Sequence, residues 1–172
     1  MTETIVMTYT DFVLPTSIVS KVDLSRMVTE AEQIDNTLTE AAVRIRSGAA
    51  QMTKPVLSEV FAEFLSLNKL TLDNAQERAQ LIKQLRSLKE KIPILHMTFA
   101  VEADHESLQP LIAWLRESIH PQAVIAVGLQ PALIAGVYLR TPNHVHDLSM
   151  RAALAGGHGV LIKELETLRG RS

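Results

Sequence analysis

The sequence is poor in residues that several classes of protein require. It has no cysteine, which excludes disulfides and thiolate zinc sites. Aromatic residues make up only 4% of the 172 positions, so the core must be filled mainly by aliphatic side chains, as is usual in helix bundles. No apolar run approaches the roughly 20 residues that span a bilayer, so we expect no direct membrane insertion.

The net charge is also small. Seventeen Lys and Arg residues oppose nineteen Asp and Glu residues, which gives a formal charge of −2. Proteins that bind nucleic acid normally carry a basic patch or a high pI, so we predict no nucleic-acid partner. A protein partner is compatible with this composition, because protein interfaces need not carry a net charge.

A heptad-like seam runs along the first predicted helix. This helix is predicted to start near Asp23, which can cap its first turn, and to end at Gly48. The 15 residues at the start of the sequence fit a short strand or an extended arm equally well. The seam fits either a helix packed within its own domain or a helix that pairs with a partner. Its candidate partner-contact residues are Met27, Ile34, Leu38 and Ile45.

Two further helices are predicted before residue 92. The second has Thr53 as its cap and Pro55 in its first turn, where a missing amide hydrogen costs nothing. Val60 and Phe64 lie on its broad apolar face and are further candidate partner contacts. The third helix spans residues 72–91, with an acid near its start and basic residues near its end, as the helix dipole favours.

After Pro93 the periodicity changes from helical to alternating. We therefore predict an α+β protein with a mainly helical N-terminal domain, residues 1–92, and a C-terminal domain, residues 93–172. The first is a helical bundle and the second a small β-α-β-β-α domain with C-terminal helices. The predicted elements of the second domain are strand 95–101, a helix starting at Asp104, strand 123–127, strand 133–140, helix 148–154 and helix 160–168.

Two clusters suggest a metal or phosphate site, but each has a structural interpretation that the sequence favours. His144 and His146 could share a metal, yet a zinc site needs three or four converging ligands, and turn histidines are commonly exposed. The glycines at 156, 157 and 159 lack the spacing of a phosphate loop and follow a predicted helix, which favours a helix-breaking hinge. We therefore predict no metal site and no cofactor.

Nor does any group of residues form a recognisable catalytic set. Ser149 lies near His146 and Asp147, which could activate a nucleophile, but the sequence around it is not that of a nucleophile elbow. The acids Glu102, Asp104 and Glu106 lie at a predicted helix start, where the dipole favours them. Trp114 fits either the core or the edge of a contact patch. We therefore predict that the chain is not an enzyme.

The most distinctive pattern lies between Leu133 and Leu154. A pair of small residues within a predicted strand is followed by a turn and by an acid that leads into a predicted helix. The residues of this pattern are Ala135, Gly136, Asp147, Ser149, Arg151 and Leu154. Together with the order of elements over roughly residues 92–168, it resembles the C-terminal part of the delta subunit of F-type ATP synthases. The family usually has two glycines at the small pair and a larger helical bundle before this domain, so the chain resembles a divergent member with a shortened N-terminal part.

Physical reasons support a structural role for these residues. A strand without a side chain at Gly136 allows a neighbouring backbone to approach closely. Asp147 can cap the predicted helix, and Arg151 lies four residues further on, within reach of a charge pair.

The resemblance implies a non-catalytic stator subunit in the peripheral stalk. Such a subunit links the α/β catalytic hexamer to the b subunits and resists rotor torque during proton-driven ATP synthesis. Its expected partners are the N-terminal segment of an α subunit and the C-terminal helices of the b subunits. It would lie at the cytoplasmic face of the cell membrane, held there through the complex. The alternative is a stand-alone helical adaptor or regulatory homodimer that uses the seam of the first helix.

Overall fold

The computed structural model describes residues 8–48, 55–133, 135–140 and 145–149, and their fold is α+β as predicted. Helices predominate before residue 93, and a mixed four-stranded sheet follows. The helices are α1 (Lys21–Arg46), α2 (Glu59–Leu67), α3 (Ala75–Lys91) and α4 (His105–Ser118), and the strands are β1 (Ile94–Phe99), β2 (Val124–Leu129), β3 (Gly136–Arg140) and β4 (Val145–Ser149). Within these ranges no helix is long and apolar enough to cross a membrane.

The chain divides into two compact units, each built from two stretches of sequence. The helical unit comprises Met1–Pro93 and Glu106–Val124, and the sheet unit comprises Ile94–His105 and Ile125–Ser172. Helix α4 therefore belongs to the helical unit, although it follows the predicted domain boundary between residues 92 and 93.

A capping box sets the start of α1. Ser20, and not Asp23, is the N-cap, so the predicted cap is wrong by three positions. The Ser20 hydroxyl accepts from the amide of Asp23 at 3.3 Å, and the Asp23 carboxylate accepts from the amide of Ser20 at 2.8 Å. Each residue thus satisfies a free amide of the other, which is why the helix begins before Asp23.

Helix α2 starts later than the sequence predicts. Its N-cap is Ser58, whose hydroxyl accepts from the amide of Phe61, and Pro55 lies in a non-helical segment. Thr53, the predicted cap, is outside the described residues. The amide and hydroxyl of Ser58 both donate to Glu30 of α1, at 2.7 and 2.6 Å, which fixes this helix start against α1. Asn68 is the C-cap.

The core of the helical unit lies on the seam of α1. Its buried members pack beside α3, whose Leu85 and Leu88 are also fully buried. Phe64 of α2 contacts two other rings, Phe12 edge-on at 5.4 Å and Phe61 in a stacked arrangement at 6.4 Å. Edge-on and offset contacts of this kind stabilise beyond simple burial of area.

The sheet has the strand order β2-β1-β3-β4, with β1/β3 and β3/β4 antiparallel. Residues Val145–Ser149 form the fourth strand, which the sequence analysis did not predict. The predicted helix over 148–154 is therefore wrong at its start, because Leu148 and Ser149 pair with β3. The rest of that helix and the predicted helix 160–168 lie outside the described residues.

Candidate functional site

Gly136 occupies a position that only glycine fits. Its φ is +102°, in the left-handed region, and a Cβ atom there would lie 2.5 Å from the carbonyl oxygen of Leu148 and 2.6 Å from the Cα of Ser149. These neighbours are backbone atoms of β4 and cannot rotate away. Ala135 precedes it and is half-buried, while Leu133 lies in a short 3-10 turn instead of the predicted strand. The close backbone approach expected at Gly136 is therefore present, between β3 and β4.

Asp147 joins two strands and caps no helix among the described residues. Its carboxylate accepts from the Tyr138 hydroxyl at 2.8 Å and from the amide of Ser149 at 3.0 Å. Ser149 is only 2% exposed and lies in β4 instead of the predicted helix 148–154. Arg151 and Leu154 lie outside the described residues, as do His144 and the glycines at 156, 157 and 159.

The strand register gives the sheet one apolar face and one polar face. Cross-strand partners share a face, so Phe99, Val137 and Leu148 form one apolar row, while Thr98, Tyr138 and Asp147 form a polar row. A Cβ on Gly128 would meet the Thr98 side chain at 3.0 Å, which places Gly128 on the polar face and its neighbours Val127 and Leu129 on the apolar face.

Three exposed apolar residues lie on this face, on the two edge strands. We call this set the sheet patch, and its members are Val127, Leu129 and Leu148. All three are about half exposed or more, and Leu148 is 62% exposed. Apolar residues exposed on one face of a sheet are candidates for an interaction site where they form part of a continuous surface.

Most of the candidate contacts on the helices are core residues. Met27, Ile34, Leu38 and Phe64 are buried within the chain itself. Val60 is half-buried, and Ile45, in the last turns of α1, is 46% exposed. The seam is thus packed along most of α1 and accessible only at the end of the helix.

A groove lies between α1 and the segment that leads into α2. We call it the α1 groove; its volume is about 640 Å³. Val22 of α1 and Val56 lie on it, and both are exposed, Val56 by 95%. Arg26 and Glu30 of α1 add polar groups to its lining. No local pattern in the sequence predicts this groove, because it depends on how residues 56–58 return to α1.

Polar residues that could bind a metal do not converge in the described part of the chain. No three His, Asp or Glu side chains there lie close enough to hold an ion. Glu102 is exposed just before α4, and Trp114 on α4 is also exposed, which favours a contact patch over the core for this ring.

A half-buried arginine, Arg116 of α4, forms a polar cluster with four main-chain carbonyls. The guanidinium of Arg116 donates to the carbonyls of Ala123 at 3.1 Å, Leu14 at 3.1 Å and Pro15 at 2.7 Å, and also to that of Ile18. Burial lowers the pKa of Arg116 to about 10, so the group remains charged at neutral pH. No local pattern in the sequence predicts this cluster, because three of its four acceptors lie about a hundred positions away.

Comparison with known proteins does not assign the chain to a family. No protein-family model matches the sequence, and no curated protein sequence matches it significantly.

Proposed function

We propose that the chain is a non-catalytic stator subunit of an F-type ATP synthase, of the delta type. It would link the α/β catalytic hexamer to the b subunits of the peripheral stalk and resist rotor torque. The observation that supports this most is the place of Gly136. Gly136, the second residue of the small pair that carries the resemblance, stands where β4 leaves no room for a side chain, so a glycine is required there.

The two exposed apolar surfaces suit the two partners of such a subunit. The α1 groove has apolar walls at Val22 and Val56 and polar groups at Arg26 and Glu30, a composition that suits an amphipathic helix. We assign it to the N-terminal segment of an α subunit. We assign the sheet patch to the C-terminal helices of the b subunits.

Such a subunit works mechanically and needs no cofactor. It would transmit force through apolar contacts with its partners. Its place would be at the cytoplasmic face of the membrane, held there by its partners.

Co-purification with α and b subunits at low salt tests this proposal. We expect Val56→Asp to abolish capture of α and to leave capture of b intact, because a charge placed in an apolar contact is costly. Leu148→Asp should have the opposite effect. Val101→Asp is the matched control, because Val101 is likewise exposed, by 71%, but is not a member of either surface. If the unaltered chain captures neither subunit, the stator assignment is wrong.

The accessible end of the seam favours one alternative, a regulatory homodimer. Ile45 continues the spacing of the buried seam residues but is exposed. Sedimentation over a wide concentration range would then give a dimer mass that Ile45→Asp reduces to a monomer mass. A monomer mass at every concentration would exclude the homodimer.

A further inference from the structure

The segment before α1 lies on the helical unit as an extended peptide. We call residues 8–19 the arm. Over three residues its side chains alternate, with Phe12 and Leu14 buried and Val13 exposed between them, and Pro15 is buried next to Leu14. Further along, Ile18 and Val19 are also buried. Apart from one short 3-10 turn, Tyr9–Asp11, the arm has no helix or strand of its own.

Side chains of the helical unit bind the main chain of the arm. Asn68 makes a two-way contact with Val13, accepting from its amide at 2.8 Å and donating to its carbonyl at 2.9 Å. Gln122 donates to the carbonyls of Tyr9 and Phe12, at 2.6 and 2.9 Å. Asn68 and Gln122 are both buried polar residues, so most of their hydrogen-bonding capacity is directed at the arm.

Two more side chains complete this recognition. Gln84 of α3 accepts from the amide of Tyr9 at 3.0 Å, and Arg116 of α4 donates to three arm carbonyls, those of Leu14, Pro15 and Ile18. All of these partners are at least 55 positions away from the arm residue that they bind. Main-chain hydrogen bonds plus pockets for alternate side chains are the means by which proteins bind extended peptides.

We propose that the arm is a peptide ligand of the helical unit, and that the site it occupies also accepts the arm of a second copy of the chain. We call this site, which includes Asn68, Gln84, Arg116 and Gln122 and is distinct from the α1 groove, the arm groove. The arm groove contacts the arm through Phe12, Leu14 and main-chain groups, and a second chain offers the same groups. The arm joins α1 at Ser20, and beside this junction the amide of Val19 donates to Asp23 of α1 at 3.2 Å. The contacts that residues 8–18 make with Asn68, Gln84, Arg116 and Gln122 lie beyond the junction and do not depend on which chain supplies the arm. Exchange of an identical element between copies is a low-cost route to association. Within one chain, the high effective concentration of the arm favours its own groove.

Two full-length variants with complementary defects test this proposal. The first, Phe12→Ala with Leu14→Ala, has a weak arm and an intact groove. Removing a buried Phe alone should weaken arm binding by about 100-fold or more, which leaves this groove open. The second, Asn68→Ala with Gln122→Ala, has an intact arm and a weak groove. We expect the mixture to form a one-to-one heterodimer on size exclusion, while each variant alone stays monomeric.

A fluorescent peptide of residues 8–19 provides an independent probe. It should bind the weak-arm variant at least 100-fold more tightly than it binds the unaltered chain, and a scrambled peptide should not bind. Adding Arg116→Met to the weak-arm variant should abolish binding. If the weak-arm variant is unfolded by circular dichroism, the peptide should restore its helical signal. Absence of a heterodimer together with absence of peptide binding or peptide-induced folding would overturn the proposal.

Discussion

Replacing Arg116 by methionine tests whether one guanidinium fixes the arm to α4. Methionine keeps the length and most of the apolar volume of the side chain but removes every donor. The carbonyls of Leu14, Pro15, Ile18 and Ala123 then lose their charged partner. The substitution leaves the side chains of the arm as they are, so we expect the loss of stability to report the net effect of removing these hydrogen bonds.

The expected loss of stability is the contribution of these hydrogen bonds, reduced by the effects that offset their removal. A hydrogen bond to a charged donor contributes about 1.5–3 kcal/mol. The variant also avoids the cost of burying the charge, and some carbonyls can bind water instead. We therefore expect the free energy of unfolding to fall by about 3 kcal/mol, well below the sum of the hydrogen bonds. At about 2–4 °C per kcal/mol, Tm should fall by about 6–12 °C.

Urea unfolding monitored by tryptophan fluorescence is a suitable assay, because the single tryptophan, Trp114, lies on the same helix. Circular dichroism of the same samples shows whether the helices unfold together with this probe. Arg44→Met is the matched control: Arg44 is exposed and contacts Glu40 at 3.6 Å, so its loss should cost about 0.5 kcal/mol or less. If both variants lose equal stability, the guanidinium does not hold the arm.

Three smaller predictions concern backbone and capping positions. Gly136→Ala should cost about 3 kcal/mol or more and Gly48→Ala only about 1 kcal/mol, by thermal unfolding, because both have positive φ but only Gly136 is packed against backbone. Ser20→Ala should cost about 1 kcal/mol in the same assay, since it removes half of the capping box. Hydrogen bonds from the Thr8 hydroxyl and amide hold the pKa of the Asp11 carboxyl below its usual value. The contribution of Asp11 to stability is therefore present above the usual pKa and is lost as pH falls through the lowered pKa. Carboxyl NMR should show the pKa of Asp11 rising in Thr8→Val.

Much of the architecture could be predicted from periodicity. The seam of α1 and the alternation of β1 are long enough to distinguish a helix from a strand. The first residue of a helix is harder to predict, because several residues near each helix start can act as the N-cap. At α1 both Ser20 and Asp23 take part in the cap, and only the geometry shows which one is the N-cap. At α2 a contact with Glu30, distant in sequence, selects Ser58.

The strand β4 and the contacts of the arm could not be predicted from local sequence patterns. β4 is five residues long, and the position of Asp147 after a turn fits a helix cap as well as a strand. Pairing with β3 decides the matter. The arm depends on Asn68, Gln122 and Arg116, three polar residues with no shared spacing, which meet only after the helices have packed.

The placement of α4 has a consequence for the order of folding during synthesis. Arg116 and Gln122, which hold the arm, are made after β1, a strand of the other unit. Domains generally fold as units while the chain emerges. Here the helices before Pro93 can pack early, but the arm cannot be fixed until residue 122 has been made. The arm is thus made before α1 but is among the last parts of the helical unit to reach its final place.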